Sequence, residues 1–194
     1  MQPEEFADVL HRAQAGDEMA FSLLFRDVQP AVLRYLSSLA PAAMVDDIAG
    51  ETWVSVVRGL GAFADDDLGG FHAWVLTLAR RRWIDEVRRR ARHPEVPDLL
   101  TQGSDRAADD DVEAEVESRL GGEAAVALVR RLPPDQAEVV LLRALSGLSV
   151  EHVAAIVGKT PGAVRVLSHR GLRRLAEMLA GVTKSGSATV DEVR

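Results

Sequence analysis

Cysteine is absent from all 194 residues of the chain, which excludes disulfide bonds and thiolate metal sites. Long apolar runs are also missing, since none approaches the roughly 20 residues that a membrane-spanning helix requires. The N-terminal segment MQPEEFADVL is acidic, whereas a secretory signal begins with a positively charged stretch. These three absences predict a reduced, soluble, cytoplasmic protein that does not insert into a membrane.

The common signatures of catalytic sites are missing as well. The five histidines form no HExxH motif or other metal-ligand spacing, and no glycine loop of the phosphate-binding kind is present. We therefore expect a protein that is not an enzyme and that holds neither a cofactor nor a metal. Hydrophobic residues make up 47% and charged residues 27% of the chain, which is ordinary for a globular protein.

The formal net charge of −7 averages over segments of opposite sign. Residues 71–93 carry 7 basic and 2 acidic side chains, a local charge of +5, and residues 123–183 carry 8 basic and 5 acidic, a local charge of +3. Residues 94–122, with 2 basic and 9 acidic side chains, sum to −7. Because local charge sets the field that a ligand meets, each basic block is a candidate surface for a polyanion.

Apolar residues recur at helical spacing along nearly the whole chain, and no strand pattern stands out. Asp17 is placed to cap a helix, Pro41 interrupts the helical period, and GAFADDDLGG is predicted to be a loop. After Pro94 and Pro97 the composition becomes acidic and loses its aromatic residues. We predict an all-α chain of two small domains, residues 1–93 and 123–183, with a flexible acidic linker at 94–122 and a disordered tail at 184–194.

The segment FHAWVLTLARRRWIDEVRRR predicts a helix that begins apolar and ends basic. Seven arginines and no lysine lie between Arg80 and Arg92, and a helical wheel places most of them on one face around Asp85. Arginine binds phosphate through a planar fork, so a nucleic-acid surface is favoured over a merely solvated helix end. Asp85 is predicted to orient these arginines, and Trp83 fits either a core position or a base-stacking platform.

The segment LSVEHVAAIVGKTPGAVRVLSHRGLRRL has the signals of a helix-turn-helix. Ser149 can cap a first helix, Gly158 supplies the turn, and Thr160 followed by Pro161 opens a second helix. The wheel of the second helix turns every arginine outward and places Leu172 on the core side. The alternative is a helical hairpin with an ordinary solvated basic face, but cap, turn, spacing and charge all favour DNA binding.

A third surface is acidic. Asp46, Asp47 and Glu51 lie before and along one predicted helix, with Asp47 and Glu51 four residues apart. Like charges at that spacing destabilise a helix mildly, which suggests an external basic partner. Carboxylates collected at a helix N-terminus are the alternative, and they explain Glu51 less well.

Four segments follow one another in a distinctive order: DDIAGETWVSVVRGL, FHAWVLTLARRRWIDEVRRR, the acidic linker, and LPPDQAEVVLLRALSGLSVEHVAAIVGKTPGAVRVLSHRGLRRL. This order resembles the extracytoplasmic-function class of bacterial sigma factors of RNA polymerase. The resemblance implies a sigma region 2 bundle in residues 1–93 and a sigma region 4 helix-turn-helix in residues 123–183. The two units would recognise the −10 and −35 promoter elements.

The same resemblance implies roles for individual residues. The arginine helix and the GAFADDDLGG loop would bind the −10 element, the loop by capturing a flipped base. The −10 candidates are Arg80, Arg81, Arg82, Trp83, Arg88 and Arg89. The −35 candidates are Thr160, Arg165, Val166, His169, Arg170 and Arg173. The candidates for docking on the β′ clamp helices of core polymerase are Asp46, Asp47 and Glu51. The β flap and an anti-sigma protein are implied as further protein partners.

A conventional helix-turn-helix regulator with an N-terminal signalling domain is the alternative function. It would bind duplex DNA without polymerase, and it would carry a ligand pocket within residues 1–93.

Overall fold

The structure is a computed structural model that describes residues 3–65, 67–92, 127–144 and 147–187. All regular structure in these residues is helical, so the predicted all-α class is confirmed for the described part of the chain. The predicted linker at 94–122 lies outside the described residues. The α-helices with described bounds are α1 (Pro3–Gln14), α2 (Glu18–Leu39), α3 (Ala42–Gly59), α4 (Leu68–Arg92), α5 (Pro134–Ala144), α6 (Val150–Val157) and α7 (Pro161–Ser187), and residues 127–129 are helical as well.

Helices α1 to α4 form an N-terminal bundle around one apolar core. Asp17 caps α2 as predicted, because its carboxylate accepts hydrogen bonds from the backbone N–H groups of Met19 and Ala20 at 2.9 and 3.1 Å. Pro41 precedes α3, which confirms the predicted interruption. Helix α1 contributes the fully buried Phe6, whose ring lies 5.6 Å from that of Phe71 on α4.

The loop before α4 is shorter than the sequence predicted. Residues 60–62 form a turn of 3₁₀ helix, and α4 already begins at Leu68. The Asp67 carboxylate accepts a 2.8 Å hydrogen bond from the backbone N–H of Gly70, which satisfies one of the free donors of the first turn. Because this hydrogen bond caps the first turn, α4 begins before Gly69 and Gly70, and both glycines belong to the helix.

Helices α5, α6 and α7 form the C-terminal unit, with α5 packed closely on α7. At Gly171 of α7 a Cβ atom would lie 2.6 Å from the side chain of Val140, so only glycine allows this approach. Gly158 ends α6 with a φ of +68°, the left-handed conformation that the predicted turn requires. Helix α7 continues to Ser187, four residues into the predicted tail, and residues 188–194 lie outside the described part.

The C-terminal unit packs directly on the N-terminal bundle. Helix α6 lies against α4, and apolar side chains of both units join one buried cluster that includes Val75, Leu76, Val153 and Ile156. The loop before α4 takes part in the contact, since His152 Nε2 of α6 lies 3.8 Å from Asp67 Oδ2. The two basic blocks are thus adjacent in space although an acidic stretch separates them in sequence.

Candidate nucleic-acid and polymerase interfaces

The outer half of α4 presents arginines to solvent. Arg81, Arg88 and Arg89 are exposed, whereas the apolar side of these turns is only half-buried at Trp83 and Ile84. Two carboxylates pair with the arginines: the predicted Asp85, which pairs with Arg88, and Glu86, which the sequence did not predict. Glu86 accepts hydrogen bonds from the Nε atoms of Arg89 at 2.7 Å and Arg90 at 2.8 Å. The exposed Asp85 lies 4.0 Å from Arg88.

The hydrogen bond from Arg90 and the pair with Arg89 lower the pKa of Glu86 below its ordinary value, so this carboxylate stays ionised. Its charge offsets part of the repulsion among the neighbouring guanidinium groups. The ionised Glu86 therefore helps α4 to carry several arginines close together.

Two of the −10 candidates, Arg82 and Trp83, are partly covered by the N-terminal bundle itself. The guanidinium of Arg82 donates hydrogen bonds of 3.1 and 2.7 Å to the hydroxyl of Ser55 on α3. Trp83 is half-buried and packs against the apolar core. Trp83 is therefore mainly a core residue. Only the exposed part of its ring is accessible for stacking on a base.

Arg80 points toward the C-terminal unit. Its Nε donates a 2.8 Å hydrogen bond to Glu138 Oε1 on α5, and the hydroxyl of Tyr35 on α2 donates a 2.7 Å hydrogen bond to the same oxygen. The Tyr35 residue is 2% exposed, and the Glu138 side chain is 12% exposed. Arg80 and Tyr35 lie 58 and 103 positions from Glu138 in the sequence, too far apart for a local pattern to predict either contact.

The C-terminal unit has the helix-turn-helix geometry that the sequence predicted. Ser149 Oγ accepts a 3.0 Å hydrogen bond from the backbone N–H of His152, and Thr160 Oγ1 accepts one of 3.3 Å from Ala163. All −35 candidates on the second helix are exposed, including the apolar Val166 at 49%. The prediction for Leu172 was wrong, because its side chain is 51% exposed rather than part of the core.

Arg165 is held by a neighbouring carboxylate. Its Nη2 donates a 3.2 Å hydrogen bond to Glu151 Oε1 on α6, and both side chains are exposed. An exposed pair of this kind contributes little free energy, so it does not fix the position of the Arg165 guanidinium.

The acidic surface lies on α3. Asp46, Asp47 and Glu51 are all exposed, while the buried Val45, Ile48 and Ala49 turn to the core between them. Helix α3 begins at Ala42 and has no acidic residue in its first turn, so the helix dipole does not account for the cluster. The carboxylates therefore form an outward surface suited to a basic partner.

Other site types find no support in the described residues. No group of three histidine, aspartate or glutamate side chains in these ranges is arranged to hold a metal ion. Within the same ranges, no helix combines the length and apolarity needed to span a bilayer.

Tyr35 supplies a direct spectroscopic test of the contact between the two units, because it is the only tyrosine in the chain. Burial and the nearby charge of Glu138 raise its pKa well above the ordinary value of about 10. Since the raised pKa favours the neutral phenol, this contact stabilises the structure below about pH 10 and is lost as the pH rises further. We expect the near-ultraviolet absorbance of tyrosinate to appear only well above pH 10 in the native protein, and at lower pH in Glu138→Gln. A native midpoint near the ordinary value would show that the contact does not form in solution.

Together these features define a class. A helix-turn-helix, a neighbouring arginine-rich helix and a separate acidic surface are typical of a DNA-binding transcription protein that also contacts protein.

Comparison with known proteins narrows the class. Residues 24–93 match the family model for Sigma-70 region 2, and residues 122–175 match that for Sigma-70, region 4. The ECF RNA polymerase sigma factor ShbA of Streptomyces griseus is 35% identical, over 86% of this chain and 91% of the relative. BldN of Streptomyces coelicolor, also an ECF RNA polymerase sigma factor, is 35% identical over 89% of this chain, which spans 65% of that relative's length. The chain therefore belongs to the extracytoplasmic-function sigma factors of RNA polymerase.

Solved structures agree on the fold. CnrH, in complex with the cytosolic domain of CnrY, superposes with a TM-score of 0.64 at 22% identity, covering 91% of this chain and 97% of that one. The sigma factor RpoE of Bartonella quintana, in complex with the anti-sigma factor NepR, gives a TM-score of 0.63 at 22% identity, covering 82% and 96%. At this level of identity the likeness supports the two-part helical fold and nothing finer.

Proposed function

We propose that this protein directs core RNA polymerase to specific promoters in the cytoplasm and assists the melting that begins transcription, without catalysis of its own. One observation carries the proposal. A single chain presents an outward acidic surface on α3, an arginine face on α4 and an exposed helix-turn-helix, in the order of sigma regions 2 and 4.

The helix-turn-helix is assigned to the −35 element. Arg165, Val166 and His169 lie in the N-terminal part of α7, the part that enters the major groove in this motif. Arg170 and Arg173 follow on the exposed side, where they can bind backbone phosphates, and Thr160 precedes the helix next to its first free N–H groups.

The arginine face of α4 is assigned to the −10 element. Arg81, Arg88 and Arg89 supply exposed guanidinium groups for the backbone phosphates of a separated strand. Phosphate contacts and stacking offset part of the cost of unstacking bases, which is how such a surface assists melting. Arg82 and Trp83 lie beside this surface, and Arg80 joins it once its contact with Glu138 is released.

The protein partners follow from charge and from the relatives. The carboxylates of Asp46, Asp47 and Glu51 are assigned to the β′ clamp helices of core polymerase, and the outer apolar helices of the C-terminal unit are assigned to the β flap. RpoE of Bartonella quintana was solved with an anti-sigma factor, and we infer that an anti-sigma protein also restrains this chain.

Base recognition and phosphate binding should separate in two variants of α7. Arg165→Ala is expected to cost about 1–3 kcal/mol of binding to the −35 duplex and to relax specificity at one position of the site. Arg173→Ala should weaken binding almost uniformly across sequences and reduce the salt slope by about 1. Binding titrations against matched and mutated −35 duplexes at several salt concentrations measure both effects. Equal losses on every sequence for Arg165→Ala would rule out its role in base recognition.

Assembly with polymerase tests the proposed function. The purified chain is mixed with core RNA polymerase from the organism that encodes it and separated by size exclusion. We expect one stable complex that contains both, and that binds promoter DNA more tightly than the free chain does. A chain that elutes apart from polymerase and binds a specific duplex alone would instead be a conventional helix-turn-helix regulator.

A further inference from the structure

Glu138 is a charged side chain in an unusual position, because it lies buried between the two units of the protein. One carboxylate oxygen accepts both the Tyr35 hydroxyl at 2.7 Å and Arg80 Nε at 2.8 Å. The second oxygen lies 3.5 Å from Arg80 Nη2. A buried carboxylate is tolerated only when such partners replace the water that it loses.

The two donors belong to one unit and the acceptor belongs to the other. Tyr35 on α2 and Arg80 on α4 are fixed by the N-terminal bundle, whereas Glu138 is carried by α5. Without Glu138, the Arg80 guanidinium and the Tyr35 hydroxyl would lose the carboxylate oxygen that accepts from both. We call this pair, Tyr35 and Arg80, the donor cradle.

A phosphodiester has the acceptor chemistry that the donor cradle requires. Its charged oxygens accept hydrogen bonds from a planar guanidinium as a carboxylate does, and from hydroxyl groups as well. Arg80 also immediately precedes the exposed arginine face that we assign to the −10 element. The cradle lies around α4 from that face, about 100° from Arg81, on the side where Arg80 meets Glu138 and Tyr35 adds a neutral donor.

The packed arrangement is incompatible with promoter recognition as proposed. The −10 and −35 elements lie about 25 base pairs apart, or about 85 Å along B-form DNA at about 3.4 Å per base pair. Two units that share one buried cluster cannot span that distance, so α5 must leave the N-terminal bundle before both elements are bound. Departure of α5 removes Glu138 and empties the cradle.

The loop before α4 is covered by the same contact. A Cβ atom on Gly69 would lie 3.0 Å from the ring of His152, and the Asp67 carboxylate faces that ring. The closed arrangement thus covers two parts of the proposed −10 surface, the loop before α4 with α6 and Arg80 with Glu138.

We propose that Tyr35 and Arg80 form a subsite for a backbone phosphate of the −10 strand, and that Glu138 occupies this subsite as an internal phosphate mimic in the free protein. The packed arrangement of the two units and binding of the −10 strand at this subsite are then mutually exclusive. This inference rests on the proposed function, and it adds Tyr35 to the DNA-binding surface and a self-blocking role to Glu138.

The absence of native cysteine allows a clean measurement of closure. Met19→Cys on α2 and Ala176→Cys on α7 place two dyes on exposed positions, one in each unit, for energy transfer in the full-length protein. Binding of a random-sequence single-stranded DNA pool is measured separately by fluorescence anisotropy, with unlabelled protein. Glu138→Gln keeps the size of the side chain and removes its charge. Asp135→Asn is the matched control, since it removes the same charge from an exposed position on the same helix.

In the wild type we expect high energy transfer that single-stranded DNA lowers. In Glu138→Gln we expect low energy transfer even without DNA. We also expect this variant to bind DNA more tightly by on the order of tenfold, because the charged carboxylate no longer competes with phosphate for Tyr35 and Arg80. Asp135→Asn should match the wild type. If Glu138→Gln behaves like Asp135→Asn, or opens without any gain in DNA affinity, the internal phosphate mimic is refuted.

A second variant isolates the cradle from simple opening. Adding Tyr35→Phe to Glu138→Gln keeps the units apart but removes one donor, and should weaken DNA binding about threefold relative to Glu138→Gln alone. Unchanged affinity would exclude Tyr35 from the phosphate subsite. Failure of this inference leaves polymerase binding intact in every variant, whereas failure of the proposed function removes polymerase binding from the wild type.

Discussion

Replacing Asp47 and Glu51 together by arginine is expected to lower the affinity for core polymerase by at least about 100-fold. Both side chains are exposed on α3, one helical turn apart, so the change reverses the sign of the surface without disturbing the buried Ile48 beside them. If basic clamp helices dock there, as we propose, the variant places like charges in contact, which costs several kcal/mol. The measurement is a competition titration against the wild-type chain for a limiting amount of core polymerase.

Glu5→Arg is the matched control for this variant. It reverses an exposed carboxylate on α1, outside the acidic surface of α3, and should change the affinity less than about threefold. Equal affinities for the control and the double variant would show that polymerase docks elsewhere. Raising the salt concentration should narrow the difference between wild type and double variant, because part of the attraction is screened.

Phe71→Ala is expected to have the largest effect on stability, about 3–5 kcal/mol in the free energy of unfolding. The Phe71 side chain is fully buried, and its ring lies 5.6 Å from that of Phe6, 5.4 Å from Phe63 and 5.8 Å from Trp74. Truncation leaves a cavity at the point where α1, α4 and the loop before α4 meet. Chemical denaturation followed by tryptophan fluorescence measures the loss.

Val87→Ala provides the comparison on the same helix. Its side chain is exposed, so we expect a change of no more than about 0.5 kcal/mol. A loss below about 1 kcal/mol for Phe71→Ala would contradict the described core. The Phe71 ring also packs against Phe63 of the loop before α4. We therefore expect polymerase that carries the Phe71→Ala variant to melt promoters less well, even at temperatures where the variant is still folded.

The features that the sequence predicted correctly are those that depend on neighbouring residues. The cap at Asp17, the cap at Ser149 and the left-handed turn at Gly158 each involve a few consecutive positions, and the structure confirms all three. The outward face of α7 follows from periodicity, which a wheel captures directly. Leu172 is the exception, because its side chain is 51% exposed although the wheel places it on the core side.

Two features of α4 that the sequence did not predict have local physical causes. A wheel placed Asp85 within the basic arc, but it contains no information on side-chain reach, and the longer Glu86 forms the hydrogen bonds with Arg89 and Arg90. Gly69 and Gly70 suggested a loop, whereas the cap supplied by Asp67 outweighs the low helix propensity of two glycines.

The contact among Tyr35, Arg80 and Glu138 could not be predicted, because its members come from three helices in two units. A single sequence contains no signal for a pairing at such separation. The composition of the segments does make the contact reasonable in retrospect, since Glu138 is one of only five acidic residues in the basic C-terminal block. Its burial against an arginine is what distinguishes it from the exposed Asp135 and Glu151.

Transcription in vitro by reconstituted polymerase is the most direct test of the central claim. Core enzyme is combined with the purified chain on a pool of genomic DNA fragments, and the 5′ ends of the transcripts are sequenced. We predict transcripts that start at a limited set of positions, share two upstream sequence elements at −10 and −35 spacing, and disappear with the Asp47→Arg, Glu51→Arg double variant. Start sites identical to those of core enzyme alone would contradict the assignment as a sigma factor.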